Sequence, residues 1–314
     1  MIEKPRILVI SSANIDLIAR MNSMPSVGST IVENNRYDYA PGGKGANSAL
    51  AVARLGGESI FCCKLGNDTH GRQLTQIYAQ NGIETRFITH DPKERTGLAL
   101  CMVESGAQNR IVVYPGANRR LRPSDIEEAF TCYPDAVYLQ LEIPDETVLA
   151  ACDYAREQQI PIFIDAGPAR TDFPLESLGE IELFSPNEEE TYTYTGIRPT
   201  SVESCLKACI ALSQRVKANY YVLKLGTRGC YAYDGKLFHI IKGYEPELTD
   251  TTGAGDVFTA ALTIEFLRTG DIKKACEFAN LAGAVTTEKQ GAFASVPGEA
   301  DLMEFLKKQR NYSE

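Results

Sequence analysis

The sequence predicts an α/β fold with a mostly parallel central sheet and helices on both faces. Two observations carry this. From residue 125 onward, runs of strand length alternate with stretches of helix length, and parallel strands need such crossovers. The first apolar run, Ile7-Leu8-Val9-Ile10, has no polar alternation, as expected of a strand covered on both faces. With 314 residues, 44% of them hydrophobic, the chain can bury a large core. A single α/β domain over 1–314 is expected.

Taken in order, residues 6–12 read as the first strand. It ends in Ser12-Ala13-Asn14-Ile15-Asp16, where alternate polar side chains point one way if the strand continues. Ligands bind at the C-terminal ends of strands in such sheets, although a polar strand end explains the same residues. Pro41-Gly42-Gly43-Lys44-Gly45-Ala46-Asn47 opens a helix through residue 54. Ala46, Ala49, Leu50 and Ala53 recur at helical spacing and let that helix pack closely. The loop is not G-x-x-x-x-G-K-[ST], and no G-x-G-x-x-G follows a strand, so neither nucleotide fingerprint is present.

Residues 60–65 read as a strand and 71–81 as a helix. Residues 96–103 and 110–114 read as a hairpin turning through 104–109. Its first arm is apolar on both faces, which implies cover for both: the main sheet, a ligand or a second subunit. Next come strand 136–141 ending at Glu142, helix 146–158, strand 161–164 ending at Asp165, strand 183–185 and helix 204–216. Strand 220–225 turns back through Gly226-Thr227-Arg228-Gly229 into 230–233, a late antiparallel pair. Helices are expected over 257–268 and 272–288.

Composition excludes several functions. The net charge is −9 and no Lys/Arg run makes a basic stripe, which argues against nucleic acid as a partner. No apolar run reaches the ~18 residues of a membrane span, and no signal peptide is read ahead of the first strand. The nine cysteines form no Cys-x-x-Cys pair and read as reduced thiols of a cytoplasmic protein. The three histidines, His70, His90 and His239, are dispersed, which disfavours a zinc site or a Ser-His-Asp hydrolase.

The most informative stretch is Asp250-Thr251-Thr252-Gly253-Ala254-Gly255-Asp256, where a loop becomes a helix. Free N–H groups and the positive end of the helix dipole make such a place an anion site. Asp256 in the same turn suggests a phosphoryl group beside a base, or else a carboxylate that only stabilises the helix start.

Five motifs then coincide in order: Ser12-x-Asn14-x-Asp16, Gly42-Gly43-Lys44-Gly45-Ala46-Asn47, Asn187-x-x-Glu190, Leu225-Gly226-x-x-Gly229 and the stretch 250–256. On these the chain resembles the ribokinase-like (phosphofructokinase-B-type) sugar kinases over nearly its whole length. The resemblance implies a Rossmann-like fold with a small β lid from roughly 14–40 and 96–115, often clasped with a second lid into a homodimer. It implies ATP-dependent phosphorylation of D-ribose at its 5-hydroxyl. Deoxyribose, fructose or a nucleoside are the alternative acceptors, and a non-catalytic sugar-binding protein is the alternative of another class.

By resemblance, Asp256 is the general base, and Gly253, Ala254 and Gly255 form the anion hole. Asn14, Asp16, Gly43, Lys44, Asn47, Glu142 and Asp256 hold the sugar. Asn14, a carboxamide able to bond a 2-hydroxyl, favours ribose over deoxyribose. Asn187, Lys224, Gly226, Thr227, Gly229 and Asn280 bind the nucleotide, Lys224 standing where ribokinases often have threonine. Glu190 holds Mg²⁺ through water, although Asn187–Glu190 is equally a helix cap. Asp250, Thr252, Thr286, Gly291 and Ser295 surround a monovalent cation, K⁺.

Overall fold

The computed structural model describes residues 2–104 and 109–311. Its strands are β1 (Arg6–Ile10), β2 (Asn14–Met21), β3 (Tyr37–Gly42), β4 (Glu58–Gly66), β5 (Ile88–Asp91), β6 (Gly97–Glu104), β7 (Asn109–Tyr114), β8 (Ala136–Leu139), β9 (Ile162–Asp165), β10 (Glu180–Ser185), β11 (Lys217–Lys224), β12 (Cys230–Tyr233) and β13 (Phe238–Ile241). Its α-helices are α1 (Lys44–Arg54), α2 (Thr69–Gln80), α3 (Pro123–Ile126), α4 (Asp145–Glu157), α5 (Glu188–Thr195), α6 (Val202–Ser213), α7 (Ala254–Thr269), α8 (Ile272–Thr286), α9 (Ala292–Ser295) and α10 (Glu299–Asn311).

Alternation along β1 shows how the layers arise. Ile7 and Val9 pack in one core with α1, α7 and α8, while Leu8 and Ile10 pack in the other with α4 and α6. All four are fully buried, as a strand sandwiched between helix layers must be. Among the described residues, nine strands form one sheet in the order β13-β12-β11-β10-β9-β8-β1-β4-β5. From β5 to β11 every pair is parallel. Strands β12 and β13 add an antiparallel edge. The mostly parallel sheet and the late antiparallel pair are therefore as expected.

Four strands form a second sheet, β3-β2-β6-β7. The hairpin of β6 and β7 is antiparallel, and β6 also runs parallel to β2. The turn expected at 104–109 falls, in its residues 105–108, outside the described residues.

The sheet order reverses at β1, which sits between β4 and β8. Side chains after β1, β8, β9, β10 and β11 therefore converge on the crevice that a switch point creates. One expectation needs correcting there. The strand read over 6–12 stops at Ile10, and Asn14 and Asp16 open a new strand in the second sheet. Ser11 and Ser12 break the run because their hydroxyls bond Gln140 and Glu142 beyond the end of β8.

Local signals set the other boundaries. Asp68 caps α2 by accepting from the Gly71 N–H, and Ser201 and Asp271 cap α6 and α8. Gly196 and Gly270 close α5 and α7 in the left-handed region. Strands β5 and β13 and helix α10 have weak sequence periodicity and were not anticipated. All nine cysteines are free thiols.

Candidate active site

The helix α1 brings the first set of polar residues to the crevice. Its N-terminus seats against the turn after β1, where the Ala46 N–H donates to the Ser12 carbonyl. Only glycine permits this approach: a Cβ on Gly45 would lie 2.5 Å from both the Ser12 carbonyl oxygen and the Ser11 Cβ. Gly43 has φ 89° and a Cβ there would lie 2.9 Å from the Asn14 nitrogen. Gly42 leaves room for the Asp16 carboxylate.

Asp256, in the first turn of α7, is the hub. It is 4% exposed. Its Oδ2 accepts from Asn47 Nδ2 at 2.8 Å. Its Oδ1 accepts from Gln140 Nε2 at 3.2 Å and lies 3.5 Å from Lys44 Nζ. Burial pushes the Asp256 carboxyl up, and Lys44 pulls it back down. Conversely Asp256 raises Lys44, which stays charged.

Glu142 accepts from the Ser12 hydroxyl at 2.5 Å and from the Lys44 N–H at 3.4 Å. Asp16 is pushed up to about 7, by burial first and by Glu142 second. Its Oδ1 and the Oδ1 of Asn47 are buried without hydrogen-bond partners among the described residues. Two orphaned acceptors ask for hydroxyl donors from a ligand. Asn14, Asp16, Gly43, Lys44, Asn47, Glu142 and Asp256 thus lie in one connected region.

On the other side of α7 is a cavity of about 340 Å³, lined by Lys224, Gly226, Thr227, Gly229, Gly255 and Asn280 among others. An adjoining one of about 400 Å³ shares Lys224, Gly226 and Gly255 and reaches Asn187. Gly253 starts α7 at φ 82°, and Ala254 follows it in the helix. Gly255 leaves open the space next to Lys224, whose Nζ would be 3.7 Å from a Cβ there. Lys224 itself is buried and paired: its Nζ lies 2.7 Å from Asp165 Oδ2, which also accepts from the Thr259 hydroxyl at 2.8 Å. Asn280 donates to the carbonyls of Ile241 and Lys242, tying α8 to β13.

Asn187 and Glu190 form a reciprocal capping box at α5, with bonds of 2.9 and 2.7 Å. The cap reading is thus real, and it still leaves Glu190 Oε1 with no hydrogen bond among the described residues. Burial raises Glu190, and Lys224 opposes the rise. A buried carboxylate with one oxygen free of hydrogen bonds suits a hydrated Mg²⁺. Asp250 accepts from the N–H and hydroxyl of Thr252 and from the Gly291 N–H at 2.9, 2.7 and 2.9 Å, joining two loops. Thr286 and Ser295 are buried, their hydroxyls donating to Ala282 and Ala292.

Residues 4–298 match the pfkB family carbohydrate kinase domain. The chain belongs to the pfkB family of carbohydrate kinases. It is 31% identical to the ribokinase of Haemophilus influenzae over 95% of this chain and 97% of that one. It is 28% identical to the deoxyribokinase of Salmonella typhimurium over 96% and 98%. The structure of Arabidopsis thaliana ribokinase complexed with ribose and ATP superposes with a TM-score of 0.86 at 28% identity, over 97% and 99% of the two chains. The pfkB-type fold, with its parallel sheet between helices, is therefore shared.

Residues not anticipated from sequence also touch these side chains or line the cavity. Gln140 and Ser11 bind each other, and Gln140 binds Asp256. Asp165 holds Lys224. Gly283 and Ala284 line the larger-numbered wall of the cavity, three and four residues beyond Asn280. That helical spacing of small residues was the one available signal.

Proposed function

We propose that this pfkB kinase transfers the γ-phosphoryl group of ATP to the 5-hydroxyl of D-ribose, giving ribose 5-phosphate and ADP. The observation that carries the reading is the position of Asp256. It is bonded on one side to Asn47 and Lys44, and its own helix start, through Gly255, lines the cavity on the other. A hydroxyl held on the first side would thus meet a phosphoryl group held on the second. The relatives that act on ribose, and the solved relative holding ribose and ATP, support this choice.

In this reading Asp256 takes the proton of the attacking hydroxyl. Burial makes its carboxylate more basic, while Lys44 and Asn47 oppose that rise and aim the group, which is what a general base needs. The N–H groups of the α7 start, at Gly253, Ala254 and Gly255, receive the transferring group, and Lys224 adds positive charge beside them. Asn14, Asp16, Gly43, Lys44, Asn47 and Glu142 hold the sugar. Asn187, Gly226, Thr227, Gly229 and Asn280 hold the nucleotide. Glu190 would hold Mg²⁺, which when bound neutralises phosphate oxygens. Asp250, Thr252, Thr286, Gly291 and Ser295 offer an oxygen-only donor set for K⁺.

The second sheet is proposed as a lid over the sugar within a single 1–314 kinase domain, and as the contact to a second copy. Tyr37, Ile111, Val112 and Tyr114 on it are 42–67% exposed. Among the described residues no helix is long and apolar enough to cross a membrane, and a cytoplasmic site of action is proposed with small-molecule partners only. The test is a coupled ADP-release assay over ribose, deoxyribose, fructose and nucleosides, with and without K⁺. ADP release that ribose does not accelerate, with no ribose 5-phosphate formed, rules the reading out.

A further inference from the structure

Asn118 lies in the 3-10 turn Gly116–Arg120 that follows β7, and it is 2% exposed. Both ends of its side chain are fixed by one residue of the β1–β2 turn. The Ala13 N–H donates to Asn118 Oδ1 at 3.0 Å, and Asn118 Nδ2 donates to the Ala13 carbonyl at 3.1 Å. A backbone N–H can only donate and a carbonyl can only accept, so this pairing permits one orientation of the Asn118 amide.

The second proton of Asn118 Nδ2 then goes to Asn14 Oδ1, at 2.8 Å. That bond sets Asn14 in turn. Its carbonyl oxygen is turned toward Asn118, which leaves its Nδ2, with no hydrogen bond among the described residues, as the donor open to a ligand. Gly97, opposite Asn14 in the β2–β6 register, makes the arrangement possible. A Cβ there would fall 2.2 Å from Asn14 Oδ1 and 2.5 Å from Asn118 Nδ2. Two residues along β2, Asp16 offers a buried acceptor without a partner. The lid therefore carries a donor and an acceptor side by side.

We propose that Asn118 is a positioning residue for sugar specificity: it obliges Asn14 to present an N–H donor, which selects a pentose bearing the 2-hydroxyl oxygen over its 2-deoxy counterpart. With a deoxy sugar the Asn14 donor is left buried and unpaired, and that penalty, rather than any clash, provides the discrimination. The inference rests on the proposed reaction and names how its substrate is chosen. The question is real within the family, whose members similar to this chain include both a ribokinase and a deoxyribokinase.

The experiment compares kcat/KM for ribose and 2-deoxyribose in the wild type, Asn118→Asp and Gly97→Ala. Asn118→Asp keeps the acceptor for the Ala13 N–H but removes both donated bonds, to the Ala13 carbonyl and to Asn14, so that Asn14 is free to turn over. Gly97→Ala displaces the same amide from the opposite strand, and serves if Asn118→Asp does not fold. The wild type is expected to prefer ribose by about 100-fold or more. In either variant the preference drops by about tenfold or more, chiefly through the ribose KM, while the KM for ATP stays within about threefold. Variants that lose efficiency equally with both sugars, or a wild type that prefers deoxyribose, overturn the inference while the kinase reading stands. A wild type that phosphorylates neither pentose overturns the reaction itself, and this inference with it.

Discussion

At the scale of the residue, Asp256 is poised between two opposing influences. Burial raises its affinity for a proton, and Lys44 lowers it. Asp256→Asn keeps the size but cannot take a proton, and its single amide oxygen can accept from only one of the two sides now served by Asn47 and Gln140. Turnover is expected to fall by about 10²–10⁴-fold, with ribose affinity measured by calorimetry nearly unchanged; full turnover in this variant removes Asp256 from the base role. Asp16 makes the complementary case. Its folded-state value of about 7 lies above the ordinary carboxyl value of 3.8. Between those two values the folded chain binds more protons than the unfolded one. The stabilisation from this group is therefore complete below pH 3.8 and is lost as pH rises through 7. Asp16→Asn is expected to raise the melting temperature of the sugar-free protein more at pH 8 than at pH 5, and to weaken ribose binding at both. Equal shifts at the two pH values would mean that Asp16 does not titrate in this window.

At the scale of the element, two glycine-rich helix starts, of α1 and α7, face each other across the crevice. Gly45 decides how closely α1 approaches β1. In Gly45→Ala the added Cβ meets the Ser12 carbonyl at 2.5 Å, so the helix must shift. A loss of about 1–3 kcal/mol in unfolding free energy is expected from such overpacking, with a fall in kcat as Lys44 and Asn47 move from Asp256. Urea titration and steady-state kinetics check the two together, and a variant with wild-type values would show that this contact yields freely. These helix starts were legible in the sequence because Gly-rich loops before small-residue helices are local patterns. Asn118, Gln140 and Asp165 were not. None of them belongs to a local pattern, and the meaning of each comes from a partner more than 50 residues away: Asn14, Asp256 and Lys224. The break after Ile10 was hidden for the same reason, since Ser11 and Ser12 look like strand until Gln140 and Glu142 are placed beside them.

At the scale of the whole molecule, the second sheet is half-covered on its own. Ile111, on the face it shares with Ala99 and Asp16 by the strand register, is 49% exposed. If a second copy covers this sheet, Ile111→Lys is expected to shift the mass seen by light scattering from dimer to monomer and to raise the ribose KM. A monomeric wild type at micromolar concentration sinks the proposed contact. The bonds around Asp256 have a further consequence, for how the chain matures. They join residues 209, 116 and 212 positions apart in sequence, to Asn47, Gln140 and Lys44. Contacts of such long range form late, because their loops must close first. During synthesis Lys44 and Asn47 leave the ribosome 212 and 209 residues before Asp256 does. With Asp256 as the base, an unfinished or half-folded chain is expected not to turn over ATP, and activity is expected to return only with the last, slowest phase of refolding. Stopped-flow refolding followed by timed ADP-release assays would show this as turnover that lags behind recovery of secondary structure.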